Sequence, residues 1–176
     1  RSLRAPLDLV FVRKIGLPGQ SELAAAAIVD GGEANIVINE EIVAGAHVSR
    51  RHIMEMAKVE FAEIERRRAK YLVGRERIPL AGRTVIVVDD GIATGASVRA
   101  AIKSLRDRQP KRIILAVPVA SAESLEELAG AVDDIICLVT PRPFYSVGTH
   151  YSNFKQLTDE EVIELLRQAD ISPATG

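Results

Sequence analysis

The sequence predicts an α/β domain in which a twisted, mostly parallel β-sheet carries helices on its faces. From Thr84 onward, short apolar, β-branched segments alternate with longer amphipathic segments, a pattern typical of βαβ units. Crossovers of this length require parallel pairing with right-handed connections. The chain has 176 residues, of which 47% are hydrophobic and 27% charged, so it can bury one packed core. We therefore expect residues 1–176 to form a single domain.

Composition excludes several classes of protein. Lys and Arg together number 23, and Asp and Glu 24, so no overall field attracts nucleic acid or an anionic membrane. The single cysteine, Cys137, excludes a disulfide framework, and three histidines offer little for a Cys/His zinc site. The longest apolar stretch, Ile113 to Ala120, is far shorter than the roughly 18 residues of a membrane span. We expect a cytoplasmic protein with no membrane partner.

The chain is expected to begin with a strand and a hairpin. Leu7 to Val12 is a short apolar, β-branched run that ends before Arg13-Lys14, which predicts a strand entering a loop. Turn residues lie on both sides of the alanine-rich run Ala24 to Val29, which favours a hairpin. Asn35 to Ile38 is its predicted second strand.

Two helices follow the hairpin. Asn39 is expected to cap a short helix that ends at Ala44. Apolar spacings of three, four and seven predict a long amphipathic helix over Ser49 to Leu72. Arg50 to Arg77 carries nine basic against five acidic residues. A solvated helix face with ion pairs explains this surplus, and a phosphate-binding patch around Arg66-Arg67-Arg68 is the alternative.

The second half predicts a regular βαβαβ unit and a last helix. The expected elements are a strand over Thr84 to Val88, a helix over Ala96 to Arg108, a strand over Arg112 to Val117, a helix over Ala122 to Ala131 and a strand over Asp134 to Thr140. An irregular aromatic tail runs from Pro141 to Phe154, and Thr158 to Glu161 is typical of a capping box that opens a helix ending at Ala169. Such sheets bind ligands at the carboxyl ends of their strands.

The most informative segment follows the strand that ends at Val88, where two acids precede a turn of small residues. Its residues are Asp89, Asp90, Gly91, Ile92, Ala93, Thr94, Gly95, Ala96 and Ser97. Backbone N–H groups and the positive helix end form a nest for a phosphate, with the hydroxyls of Thr94 and Ser97 as further donors. The paired carboxylates suit a sugar diol or a hydrated Mg²⁺. The predicted ligand is a phosphorylated sugar.

This segment resembles the signature of the type I phosphoribosyltransferases: a hydrophobic strand, two acids, a short spacer and Thr-Gly. The resemblance implies that Asp89 and Asp90 hold the ribose hydroxyls of 5-phosphoribosyl-1-pyrophosphate (PRPP). It implies that Gly91 to Ser97 bind PRPP, with the 5′-phosphate at Ala93 to Ser97. The implied cofactor is Mg²⁺, held by the two carboxylates indirectly, through ribose or water. The implied fold is Rossmann-like, with an inserted flexible loop or hairpin and a small C-terminal hood.

Two further segments resemble parts of the same family. Phe11 to Gly19 is similar to the strand and Arg-Lys that precede the active-site loop of adenine and orotate members. This implies that Arg13 and Lys14 act near the pyrophosphate, and that a loop from Ile15 to His47 closes over the site.

The other segment, Pro143 to Gly148, follows the last sheet strand, where relatives place the hood that stacks on the base. The resemblance implies Phe144 and Tyr145 as residues that contact the base. Aromatic packing within the hood is the alternative, and it is the favoured interpretation for Tyr151 and Phe154.

Two departures from the family pattern limit what the resemblance implies. Ala93 stands where 6-oxopurine members carry an acid, which disfavours hypoxanthine or guanine as acceptor by that route, whereas adenine-type members also have Ala there. The family's first core strand and its pyrophosphate loop, usually containing Arg-Gly-Gly, are expected before Arg1, and Gly31-Gly32 lacks the arginine. We expect the domain to lack these two parts within the 176 residues.

The predicted function is transfer of the phosphoribosyl group from PRPP to a nucleobase or similar nitrogen heterocycle, with release of pyrophosphate, as in nucleotide salvage. Its expected partners are PRPP and the acceptor, without nucleic acid. A PRPP-sensing regulator that binds nucleic acid through its basic helix is one alternative. A phosphosugar-binding protein or hydrolase is another. The acceptor, the general acid or base and dimerisation through the long helix stay open.

Overall fold

The computed structural model describes residues 3, 5–17, 20–30, 36–46 and 48–170. Its strands are β1 (Val12–Leu17), β2 (Gln20–Val29), β3 (Ile36–Ile38), β4 (Thr84–Val88), β5 (Arg112–Val119) and β6 (Asp134–Val139). Its helices are α1 (Glu40–Gly45), α2 (Arg50–Tyr71), α3 (Ala96–Asp107), α4 (Ala122–Ala129) and α5 (Asp159–Asp170), with a 3-10 turn at Val147–His150. Among these described helices, none has the length and apolar character to cross a membrane.

The predicted βαβαβ unit is confirmed and forms a parallel sheet in the order β4-β5-β6. The middle strand, β5, alternates buried and partly exposed residues along its whole length. Its buried residues Ile113, Leu115 and Val117 share one apolar core with α3 and α4. The α/β class is therefore correct, and the carboxyl ends of three parallel strands meet at one edge of this sheet.

The opposite face of the parallel sheet is exposed. Val88 on β4 is 73% exposed and Leu138 on β6 is 75% exposed, and Ile86 and Ile136 on the same two strands are also exposed. Parallel sheets are ordinarily covered on both faces because their crossover helices lie on both sides. An apolar face of this kind is a surface on which further protein packs.

The first half of the chain forms a second, antiparallel sheet in the order β1-β2-β3. The expected pairing of the alanine-rich run with Ile36 to Ile38 is present as β2 and β3, and β1 pairs with the other edge of β2. This sheet packs on α2, where Ile15, Ile28 and Ile53 are fully buried. The helix α3 also contacts it, since Ala100 packs against Ala27 and Val29. Thus α3 lies between the two sheets and connects them.

Two expectations for the first half are wrong. The strand does not cover Leu7 to Val12: it begins at Val12, because its partner β2 ends at Val29 directly opposite, and no described strand pairs with the residues before it. Residues 15–47 are not one closing loop, because β2 lies in the core, with Ala25 and Ile28 fully buried. Pro18, Gly19, Gly31, Gly32, Asn35 and His47 lie outside the described residues.

Polar side chains cap the helix starts, as predicted at Asn39 and Thr158; the cap at Ser49 was not predicted. The Asn39 side chain accepts a hydrogen bond from Ile42 N, and Ser49 accepts one from His52 N. The predicted capping box is also present: Glu161 N donates to Thr158 Oγ1, while Thr158 N donates to a Glu161 carboxylate oxygen. The main differences are that β5 extends two residues further than expected and that α4 ends two residues earlier than expected.

Candidate active site

The two predicted acids lie at the carboxyl end of β4 and differ in exposure. Asp89 is half-buried and Asp90 is exposed. Asp90 N donates a hydrogen bond of 3.0 Å to Asp89 Oδ1. Burial raises the pKa of Asp89 above its ordinary value; the hydrogen bond from Asp90 N opposes this rise, and the neighbouring Asp90 charge adds to it. The pair therefore offers one shielded and one open carboxylate, both with acceptor positions free for a ligand hydroxyl.

The turn after the acids is held by the end of β5 and the start of α4. Ile92 N donates to Val119 O, and Ser121 N donates to Ile92 O, each at 3.0 Å. The hydroxyls of Ser121 and Ser124 both donate to Ala93 O, at 3.0 and 2.7 Å. Both serines are buried, and sequence reasoning missed them. The signal in the sequence was the position of Ser121 directly before a predicted helix. Ser121 caps that helix, because its hydroxyl oxygen accepts a hydrogen bond from Ser124 N.

Glycine at position 95 is required by the backbone. Gly95 directly precedes α3 and has φ = 68°. Residues with a Cβ adopt this backbone conformation only at a cost in free energy. Among the hydrogen bonds between described residues, none has the backbone N–H of Thr94, Gly95 or Ala96 as its donor. Unpaired N–H groups at the positive end of a helix attract an anion. These N–H groups lie within the segment predicted to bind the phosphate, and that role stays a prediction.

The aromatic tail lies against the acidic turn. The Tyr151 hydroxyl donates to the backbone oxygen of Asp90. Phe144 is half-buried, with its ring 5.8 Å from the ring of His150, whereas Tyr145 is 80% exposed. Tyr151 and Phe154 do pair within the tail, with ring centroids 5.1 Å apart. Tyr151 therefore has a contact with the site in addition to its expected packing role.

The two cations predicted near the pyrophosphate have different surroundings. Arg13 Nε donates to Glu60 Oε2 on α2 at 2.6 Å, while Lys14 is exposed. Among contacts between described residues, none joins Arg13 or Lys14 to the acidic pair. Their proposed role therefore stays a prediction.

The basic surplus of α2 is largely neutralised by ion pairs. Glu63 binds both Arg66 and Arg67, at 2.7 and 2.8 Å, and these two arginines lower the pKa of Glu63 to about 2. Arg68 pairs with the buried Asp30, and Lys70 pairs with Asp159 on α5 at 2.6 Å. A cation that already pairs with a carboxylate gains less free energy when it binds a phosphate. This arrangement favours the solvated helix face over a nucleic-acid-binding patch.

The site lies inside a region with a family assignment. A sequence profile of the phosphoribosyl transferase domain matches residues 29–151, which include the acidic pair and its turn. The chain belongs to the phosphoribosyl transferase family. This agrees with the family inferred from the β4 motif.

The phosphoribosyl transferase domain has relatives of known sequence and of known structure. It is 41% identical over 169 residues to proteins from two strains of Mycobacterium tuberculosis whose names mark a phosphoribosyl transferase assignment as provisional. The matches cover 96% of this chain but only 38% of each relative's length. The crystal structure of TT1426 from Thermus thermophilus is similar, with a TM-score of 0.77 and 35% identity, over 95% of this chain and 78% of that one.

Proposed function

We propose that this domain transfers the 5-phosphoribosyl group from PRPP to a nucleobase or similar nitrogen heterocycle and releases pyrophosphate. The observation that carries the proposal is the combination at the end of β4: two carboxylates with free acceptor positions directly precede a turn with unpaired N–H donors. The hydroxyl groups of a sugar phosphate can donate to the two carboxylates, and its phosphate can accept hydrogen bonds from the N–H groups. The family assignment of the same residues supports this ligand.

Each part of the turn has a separate role in the proposal. Asp89 and Asp90 accept hydrogen bonds from the ribose hydroxyls, and the backbone from Ala93 to Ser97 binds the 5′-phosphate. In the reaction the bond from C1 to the pyrophosphate oxygen breaks, and a ring nitrogen of the acceptor forms a bond to C1. The pyrophosphate leaves with the bonding electron pair. Positioning and charge stabilisation supply the catalysis, because positive charge develops on the ribose ring.

The acidic pair fits Mg²⁺ that is bound jointly with substrate. Carboxylate oxygens are suitable ligands for this ion, which commonly keeps several waters. Among the described residues there is no group of three or more His, Cys, Asp or Glu side chains that could hold a metal by themselves. The ion would neutralise charge on the leaving pyrophosphate. Asp89 and Asp90 would hold it indirectly, through ribose or water.

The remaining contacts are assigned to the tail and to β1. Tyr145 is exposed beside the half-buried Phe144, so its ring is accessible for stacking on a flat heterocycle. Lys14 is the better of the two cations for the pyrophosphate, because Arg13 would first have to leave Glu60.

We also propose that residues outside this chain complete the domain. The apolar face of the parallel sheet is exposed at Val88 and Leu138, which is unusual for a parallel sheet. About a fifth of the TT1426 chain has no counterpart in the match. Both observations support the expectation that a further core strand and a pyrophosphate loop contribute to the site.

Calorimetric titration of Mg²⁺-PRPP tests the proposal, first with this chain and then with any longer product of its gene. We expect saturable binding that disappears when Asp89→Asn and Asp90→Asn are combined. The matched control combines Glu126→Gln and Glu127→Gln, which changes two adjacent exposed acids on α4. Unchanged affinity in the Asp89/Asp90 variant would contradict the assignment.

Pyrophosphate release with a panel of nucleobases then tests the reaction. Release that requires one acceptor identifies a transferase and its base. Loss of PRPP without any acceptor would instead identify a hydrolase. Binding only by the longer product would show that the 176 residues lack an essential part of the site.

A further inference from the structure

One hydrogen bond joins the aromatic tail to the acidic pair. The hydroxyl of Tyr151 donates to the backbone oxygen of Asp90, although the two residues are 61 positions apart. Tyr151 also packs against Phe154, with ring centroids 5.1 Å apart. The ring is thus held from one side while its hydroxyl reaches the turn, so the bond does not depend on a freely rotating side chain.

Close packing beside this bond restricts the tail further. A Cβ placed on Gly91 would lie 2.6 Å from Val147 Cγ1, so the 3-10 turn already touches the backbone of the acidic turn. A Cβ on Gly148 would lie 3.0 Å from Phe154 Cδ1. Val147 and Tyr151 therefore both reach the Asp90–Gly91 peptide, and Phe154 packs on Tyr151 and beside Gly148.

The Asp90–Gly91 peptide is part of the backbone that carries the Asp90 carboxylate. The carbonyl of Asp90 and the N–H of Gly91 belong to one planar group, so a bond to the carbonyl fixes the orientation of the whole group. On the other side of the same residue, Asp90 N donates to Asp89 Oδ1. The exposed Asp90 carboxylate has no hydrogen-bond partner among the described residues. These two backbone bonds therefore hold the main chain on both sides of Asp90, and with it the Cα–Cβ bond from which the carboxylate extends.

We propose that Tyr151 is a positioning residue: its hydroxyl holds the Asp90–Gly91 peptide so that the Asp90 carboxylate meets the ribose hydroxyls of the ligand. The inference rests on the proposed function, because it assigns the diol to the acidic pair. The phosphate half of the site is held separately by Ser121 and Ser124 at Ala93 O. Loss of the Tyr151 hydroxyl is therefore expected to affect the sugar half alone.

The first test needs no ligand and uses the full-length protein labelled with ¹⁵N. Tyr151→Phe keeps the ring and removes only the hydroxyl. The matched control is Tyr71→Phe, which removes a tyrosine hydroxyl that donates to Asp159, remote in sequence from the turn. We expect the Gly91 amide resonance to shift and its hydrogen exchange to accelerate in Tyr151→Phe and to stay unchanged in Tyr71→Phe. An unchanged Gly91 amide in both variants would overturn the proposal.

The second test separates the two halves of the ligand. Ribose 5-phosphate and inorganic phosphate are titrated in turn into the wild-type protein and both variants. We expect Tyr151→Phe to bind ribose 5-phosphate about threefold to tenfold more weakly, the range that one lost hydrogen bond explains, and to bind phosphate as the wild type does. Equal weakening of both ligands, or of neither, would overturn the positioning role. Failure of wild-type protein to bind ribose 5-phosphate would overturn the proposed function as well.

Discussion

Val147 lies so close to Gly91 that a Cβ at position 91 would come within 2.6 Å of Val147 Cγ1 and 3.0 Å of Val119 O. The first atom belongs to the tail, and the second to the backbone of β5. The acidic turn is thus enclosed between the parallel sheet and the aromatic tail. Its geometry depends on both.

Gly91→Ala should destabilise the protein and weaken ligand binding. The added methyl group must displace Val147 or the β5 backbone, and overpacking of this kind costs about 1–3 kcal/mol. Chemical denaturation measures the loss. A second variant that adds Val147→Ala removes the closer contact and should recover part of the stability. Equal stability of Gly91→Ala and wild type would contradict the packing described.

Asp89→Asn should stabilise the protein while it removes binding. Because the pKa of Asp89 is raised in the folded state, the native protein holds this proton more tightly than the unfolded chain. The stabilising contribution of protonated Asp89 is fully present below its unfolded pKa of 3.8. This contribution is lost as the pH rises through the raised pKa of the folded state. At pH 7 we expect a melting temperature higher by roughly 1–3 °C.

The pH dependence provides the control for this prediction. The thermal advantage of Asp89→Asn should shrink as the pH is lowered toward the unfolded pKa of 3.8, because the raised pKa lets the folded wild-type protein take up the proton first. An advantage that is the same at both pH values would show that desolvation of the carboxylate is not its cause.

Asp30 is expected to be the most sensitive acid of the first half. Its side chain is 4% exposed and binds both Arg68 on α2 and Arg77, the latter at 2.6 Å. Asp30→Ala removes the buried carboxylate that pairs with the half-buried Arg68 and the exposed Arg77, and we expect a loss of about 3 kcal/mol in the free energy of unfolding. The exposed pair of Arg50 and Glu40, at 3.6 Å, serves as control: Glu40→Ala should cost less than about 1 kcal/mol. Equal losses in the two variants would contradict the difference in burial.

The contact between α2 and α5 should weaken in acid. Hydrogen bonds from Lys70 and Tyr71 lower the pKa of Asp159, so its contribution to stability is present above the unfolded pKa of 3.8 and lost as pH falls through the lower folded value. Asp159→Asn should therefore be less stable than wild type at pH 7 and converge with it as the pH falls below 3.8. Hydrogen exchange in α5 checks this. A difference that grows in acid would have the wrong sign.

Features that depend on neighbouring residues were predictable from the sequence. Thr84 to Val88 is β-branched and apolar, and Asn39, Ser49 and Thr158 are polar residues that cap the helices after them, so local chemistry determines these elements. The two acids and the small residues after β4 likewise indicate a sugar-phosphate site, because the groups that bind the ligand are consecutive in the chain.

Features that join distant residues were decided by the tertiary structure. The start of β1 depends on where β2 ends, which no property of Leu7 to Val12 reveals. The hydroxyls that hold the turn, from Ser121, Ser124 and Tyr151, come from residues 28 to 61 positions away. A serine or tyrosine has the same local preferences whether its hydroxyl meets water or a carbonyl. The sequence by itself predicted which groups bind the ligand, and only the packed fold decided which groups hold them in place.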